Sequence, residues 1–214
     1  MKRAIVAVAI CFLFCQMISA ESKKEEYKDG IKFSLTDEGV KEAIEFGQKT
    51  KPKDIDKLYT SYFFGKGFGD FMKAMGGPTP EATVMTKRYL IASYVAGQKV
   101  KYLEPDPKQI GQIKNLNSLE VRFLATNTYP EFPKAIHCVL KKDDKAIQPT
   151  LIVGKDKPAE LVIDKDSHTK TWFGVFVASF DVKDIDPKAN YTFVIIDTAR
   201  DFEQKINLDF SKYQ

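Results

Sequence analysis

After Asn115 the apolar residues change their spacing. Upstream they recur at intervals of three and four; downstream they alternate with polar residues. "LEVRFLA" sets Leu119, Val121 and Phe123 on one face and Glu120 and Arg122 on the other, because successive strand side chains point to opposite faces. "AIHCVL", "PTLIV", "AELVI", "WFGVFVASF", "YTFVII" and "QKINLDF" follow, parted by Asp, Lys, Pro and Asn clusters. About seven short strands in roughly 95 residues is the pattern of an all-β sandwich. The expected fold class is therefore α+β. A small helical N-terminal region, residues 35–115, precedes a seven-stranded antiparallel β-sandwich, residues 116–214.

The helical region is read from its caps. "ESKKEEYKDG" is charged and makes residues 21–34 a flexible lead-in, with a possible short strand in "IKFSLT". Thr36 caps a first helix, and Asp37 and Glu38 suit its positive end. Val40, Ala43, Ile44 and Gly47 share a face. Gly47 costs helix stability unless it admits a close neighbour. Asp54 is placed as the cap of a second helix whose stripe is Ile55, Leu58, Tyr59, Tyr62 and Phe63, with Gly65 as its stop. Thr86 caps the longest helix, striped by Tyr89, Ala92, Ala96, Val100 and Leu103. Ile91 and Val95 widen that stripe, so this helix is expected at the centre. Asp106 and Pro107 open a short fourth helix.

In "DIDPKANYTFVII", Ile185, Pro187 and Tyr191 precede an alternating strand. This resembles the tyrosine corner of fibronectin type III and immunoglobulin-like domains. The resemblance implies that the Tyr191 hydroxyl bonds to backbone a few residues upstream. It also implies a core position for Trp172. The lack of a cysteine pair favours the fibronectin-like over the antibody type. The likeness spans the last 95 residues or so. The whole chain is similar to uncharacterised exported bacterial proteins with a helical front and an immunoglobulin-like back. No activity follows from that similarity.

"MKRAIVAVAICFLFCQMISA" joins a basic start, an apolar run and small final residues, the three parts of a secretory signal peptide. Cleavage is expected after Ala20; an uncleaved anchor is the competing reading. Ile10 and Phe14 precede Cys11 and Cys15, which argues against lipidation. Removing residues 1–20 would leave Cys138 alone, with no intramolecular disulfide. It would also take two basic residues and no acidic one, lowering the formal charge from +4 to +2. Without a polybasic block, nucleic acid is not an expected partner. No later stretch is long and apolar enough to span a membrane.

"YFFGKGFGDF" carries glycines at 65, 67 and 69. They follow an apparent helix, no Gly-Lys-Ser/Thr closes a Walker pattern, and the dinucleotide spacing is broken. The segment reads as a connector, as does "GGPTP" after it. No cofactor is implied. Asp164 and Asp166 in "DKDSHTK" are weak candidates for a hard cation, since the glycine and closing glutamate of a calcium loop are missing. His137 and His168 adjoin Cys138 and Ser167, and such neighbours on a strand point apart. No catalytic residue is selected. Tyr129 and Phe132, between prolines, are candidate partner contacts; the competing reading packs them onto the fold.

The leading functional expectation is an exported, non-catalytic binding or assembly module of the bacterial cell envelope, in the periplasm or at the cell surface. Its partner would be a protein or envelope component. The alternatives are a periplasmic hydrolase with an acidic site between the two halves, and a carrier of small apolar ligands.

Overall fold

A computed structural model of the protein describes residues 31–62, 81–163, 170–199, 202–210 and 213. The leader, the glycine segment 65–71, "GGPTP", and the loop with Asp164, Asp166 and His168 lie outside these residues.

Helices α1 (Asp37–Lys49), α2 (Pro52–Tyr59), α3 (Lys87–Val100) and α4 (Pro107–Lys114) form around the expected caps, with one exception. Thr36 Oγ accepts from Gly39 N–H, Thr86 Oγ from Tyr89 N–H, and an Asp106 carboxylate oxygen from Lys108 N–H. The exception is α2. It starts at Pro52, which suits a helix's first position, so Asp54 lies inside the first turn. Helices α1 and α3 pack closely because Gly47 has no side chain. A Cβ there would lie 2.4 Å from the Ala92 carbonyl oxygen.

The strands are β1 (Thr60–Tyr62), β2 (Glu81–Met85), β3 (Ser118–Asn127), β4 (Ile136–Lys142), β5 (Lys145–Ile147), β6 (Leu151–Val153), β7 (Glu160–Ile163), β8 (Lys170–Asp181), β9 (Asn190–Asp197) and β10 (Phe202–Asp209). They make two antiparallel sheets. One has the order β1-β2-β3-β8-β6, with β7 also paired to β8; the other runs β10-β9-β4-β5. The twelve-residue β8 joins β3 along one edge. Along the other it meets β6 and then β7, two pieces of one interrupted border. Gly154 makes the break. Its φ is +107°, and a Cβ would lie 2.6 Å from the Val175 carbonyl oxygen.

Between the sheets the inward residues of β3, β8 and β9 meet as a column of rings. Phe123 stacks on Phe176 at 5.1 Å and meets Phe193 edge-on at 5.1 Å. Leu119, Val121, Ala178, Phe180, Leu140, Ile206 and Leu208 complete this dry centre.

Several expectations need correction. The region 35–115, read as helical, contributes β1 and β2, and β2 pairs with β3 along its full length. Tyr62 therefore lies on a strand and not on the stripe of α2. Residues 31–36 form no strand. Instead Ile31 is buried and its N–H donates to the Pro187 carbonyl oxygen at 2.9 Å, so the chain is already tied down at that residue. The sandwich includes the short β5, which the alternation did not reveal. Val100 and Leu103, placed on the buried stripe of α3, are exposed.

Candidate functional site

The face of the first sheet that points away from the ring column carries Glu81 and Thr83 on β2 and Arg122 and Leu124 on β3. Thr83 and Arg122 are directly opposite, as are Glu81 and Leu124. Asp56 from α2 and Tyr89 from α3 come down onto this face. The Tyr89 hydroxyl donates a short hydrogen bond to the Asp56 carboxylate. The Arg122 guanidinium lies 3.5 Å from the same carboxylate oxygen and donates to Thr83 Oγ at 3.1 Å. Tyr59 meets Tyr89 edge-on at 5.2 Å, closing the cluster from the helical side.

This arrangement holds one cation near two carboxyl groups, Asp56 and Glu81, under partial cover. Burial pushes the Tyr89 hydroxyl well above its usual range, and the Asp56 carboxylate adds to the rise against the opposing pull of Arg122. Tyr89 therefore stays protonated and works as a donor. Burial also raises the Glu81 carboxyl above its ordinary value of 4.5, opposed by Arg122 and helped by Asp56. Buried charges need such partners, since an uncompensated one costs several kcal/mol, on the order of 3–5. The cluster thus fastens α2 and α3 to the sheet.

The raised Glu81 carboxyl has a pH signature. It binds its proton more tightly in the folded than in the unfolded chain. Folding stability must then fall as pH rises through the interval above 4.5. Glu81→Gln removes that contribution. Urea unfolding at successive pH values should show the variant losing less stability than the parent across this interval. Equal losses would assign the slope to other groups.

The same outward face continues past β3 onto β8 and β6, beyond the cluster. Val177 is opposite both Arg122 and Val153; Val175 is opposite Leu124; Leu151 is opposite Ser179. Leu151, Val153 and Val175 are 57%, 47% and 44% exposed. The result is an aliphatic surface next to a polar one on a single sheet.

The expected partner contacts fall elsewhere. Phe132 is wholly buried and meets Phe176 edge-on at 6.2 Å, so it cannot touch a partner. Tyr129 is half-buried, and its hydroxyl donates to the Asp197 carboxylate at 3.1 Å. The prolines seat these rings on the end of the sandwich because Pro133 itself is buried within a short turn of 3-10 helix. Asp197, buried near Asn127, Tyr129 and the Ala199 N–H, anchors this end, and its sequence context gave no hint of it.

The Tyr191 hydroxyl accepts from the Asp186 N–H at 2.8 Å, Ile185 is buried, and the Tyr191 ring lies 4.9 Å from Phe210. Trp172 is half-buried against the core. Cys138 is buried and its thiol pKa is pushed up to about 12, chiefly by burial, while His137 beside it faces solvent. Among the described residues no three His, Cys, Asp or Glu side chains are placed to hold a metal ion. Nor is any helix there long and apolar enough to cross a membrane.

Two surface hollows, of about 330 and 400 Å³, sit away from the cluster. Charged side chains line both: Lys32, Glu38, Glu42 and Arg88 in one, Lys142, Asp143, Asp184 and Asp186 in the other. Neither suits the small apolar ligand of the carrier reading.

No family model matches the chain, and no curated protein does. Among solved structures, the C1 domain of an IgNAR antibody is similar at 13% identity and a TM-score of 0.28, over 49% of this chain and 82% of that one. A likeness that weak carries no functional argument, so the reading rests on the molecule itself.

Proposed function

We propose that the protein is an exported, non-catalytic binding or assembly module of the bacterial cell envelope, built on an immunoglobulin-like sandwich of the fibronectin kind. The strand order supports the fold. Strands β2, β3, β8 and the β6–β7 border correspond to A, B, E and D of such domains, and β4, β9 and β10 to C, F and G, with β5 added beside β4. The Tyr191 bond to backbone just before β9 fits the tyrosine corner common to both kinds, and the lack of a cysteine pair in the sandwich favours the fibronectin kind.

One observation carries the binding role: the aliphatic surface of Leu151, Val153 and Val175. Contiguous apolar surface on a sheet otherwise covered by helices marks a site of interaction, whereas scattered exposed residues do not. The partner it suits is a protein or other envelope component with apolar surface of its own.

Affinity capture from the envelope fraction tests the proposal, with the wild-type chain and a Val153→Lys/Val175→Lys variant as baits. The chain should be recovered there with Glu21 as its first residue. At least one component should be retained by the wild type and lost by the variant. Identical retention would remove this face from the binding role. Recovery in the cytosol with Met1 intact would overturn export.

A further inference from the structure

We infer that the tip formed by the end of α3 is a docking surface for an anionic lipid bilayer. Val100, Tyr102 and Leu103 are 62%, 98% and 57% exposed at one turn. The turn is built to project them. Tyr102 N–H donates to the Lys99 carbonyl oxygen and Leu103 N–H to that of Gln98, which closes the helix and leaves Tyr102 at φ +58°. That left-handed position after a helix is one where glycine is the usual residue and a side chain is strained. Here it holds a tyrosine with its ring entirely in solvent. A tip with no role in the fold would gain from glycine there.

The surroundings indicate the occupant. Lys99 Nζ donates to the Gln48 carbonyl oxygen, so the ends of α1 and α3 lie together, and the link from α1 to α2 starts at the same end. Lys51, Lys53 and Lys101 are exposed around this end, and among the described residues none of them has an ion pair. The nearby acids offset them incompletely. Glu45 pairs with Lys49 and Asp54 with Lys57, leaving Glu104 at this end.

Apolar side chains on a convex turn, among lysines, match a bilayer surface. The aliphatic groups and the tyrosine ring enter the headgroup layer while the ammonium groups meet anionic lipid. A protein partner would instead favour a flatter or concave apolar face, as on β6 and β8. This inference is independent of export and of that aliphatic face, because it uses different residues.

Co-sedimentation with phosphatidylglycerol–phosphatidylcholine vesicles tests it. The chain used begins at Glu21 and keeps every described residue, without the apolar leader. It should bind these vesicles, bind phosphatidylcholine vesicles at least tenfold more weakly, and be released by added salt. Tyr102→Gly/Leu103→Ser should weaken binding at least tenfold while keeping or raising the melting temperature, since glycine fits the left-handed position. Lys51→Glu/Lys101→Glu should also weaken it. Failure of the parent chain to bind anionic vesicles, or equal binding by the Tyr102→Gly/Leu103→Ser variant, overturns the inference. So does loss of binding confined to the Val153→Lys/Val175→Lys variant, which would assign the contact to the sheet.

Discussion

Tyr191→Ala should destabilise the protein by about 3–5 kcal/mol, the range for removing a large buried ring and leaving a cavity. The ring is 3% exposed and packs on Phe210, so alanine there gives up buried contacts and leaves a void. Tyr191→Phe separates the hydroxyl from the ring. The hydroxyl accepts from the Asp186 N–H, so phenylalanine strands a backbone donor. Asp186 is exposed, and water can replace the lost acceptor in part. That places the phenylalanine cost near the lower end of a range of about 1–3 kcal/mol. Denaturant unfolding measures both. It must use a chain that keeps Ile31 and β2, because Ile31 bonds to Pro187 and β2 completes the first sheet. A Tyr191→Phe midpoint equal to the parent's would mean that the hydrogen bond adds nothing.

Gly47→Leu should cost about 3 kcal/mol or somewhat more, at the upper end for overpacking a filled interface. Even the first carbon of a side chain would sit 2.4 Å from the Ala92 carbonyl oxygen and 2.9 Å from Val95 Cβ. One of those contacts is backbone, so α1 and α3 must separate. For a chain of this size each kcal/mol moves the melting temperature by about 2–4 °C, so a fall of roughly 6–12 °C is expected. Gly97→Ala and Gly111→Ala are the internal controls. A Cβ at either meets nothing within 4 Å, and alanine is the better helix former. Both should raise the melting temperature slightly. A Gly47→Leu protein that melts with the parent would place α1 and α3 further apart than described.

What the sequence made legible was local. Thr36, Thr86 and Asp106 each hold an N–H two or three residues ahead, so their signal lies within a single turn. The strands from β3 onward, β5 excepted, alternate strongly enough to be read without their partners. Strand β2 does not, for its middle residues Ala82, Thr83 and Val84 are buried on both faces, between the ring column and the helices. Strand β1 was hidden inside an apparent helical stripe, since Tyr62 falls at helical spacing from Leu58 and Tyr59. Val100 and Leu103 misled in the opposite sense. They fit the stripe of α3, and only the neighbour that would cover them is absent among the described residues. The Asp56–Tyr89–Arg122 cluster was out of reach, because three elements far apart in sequence bring it together. The same holds for Asp197 beneath Tyr129.

The placing of α3 and α4 between two strands that pair, β2 and β3, bears on the moment of synthesis. A chain emerging N-terminus first offers β2 the short β1 on one edge well before β3 exists to pair the other, with both helices still to come. The open edge is a hazard for mispairing during that wait. Helices close their contacts quickly because those contacts are near in sequence. Once α1 has met α3 through Gly47, and Tyr89 has found Asp56, β2 is held under cover on one side while β3 is being made. The inserted helices thus act as a nursery for β2, and the order of the chain sets the order in which its surfaces are hidden.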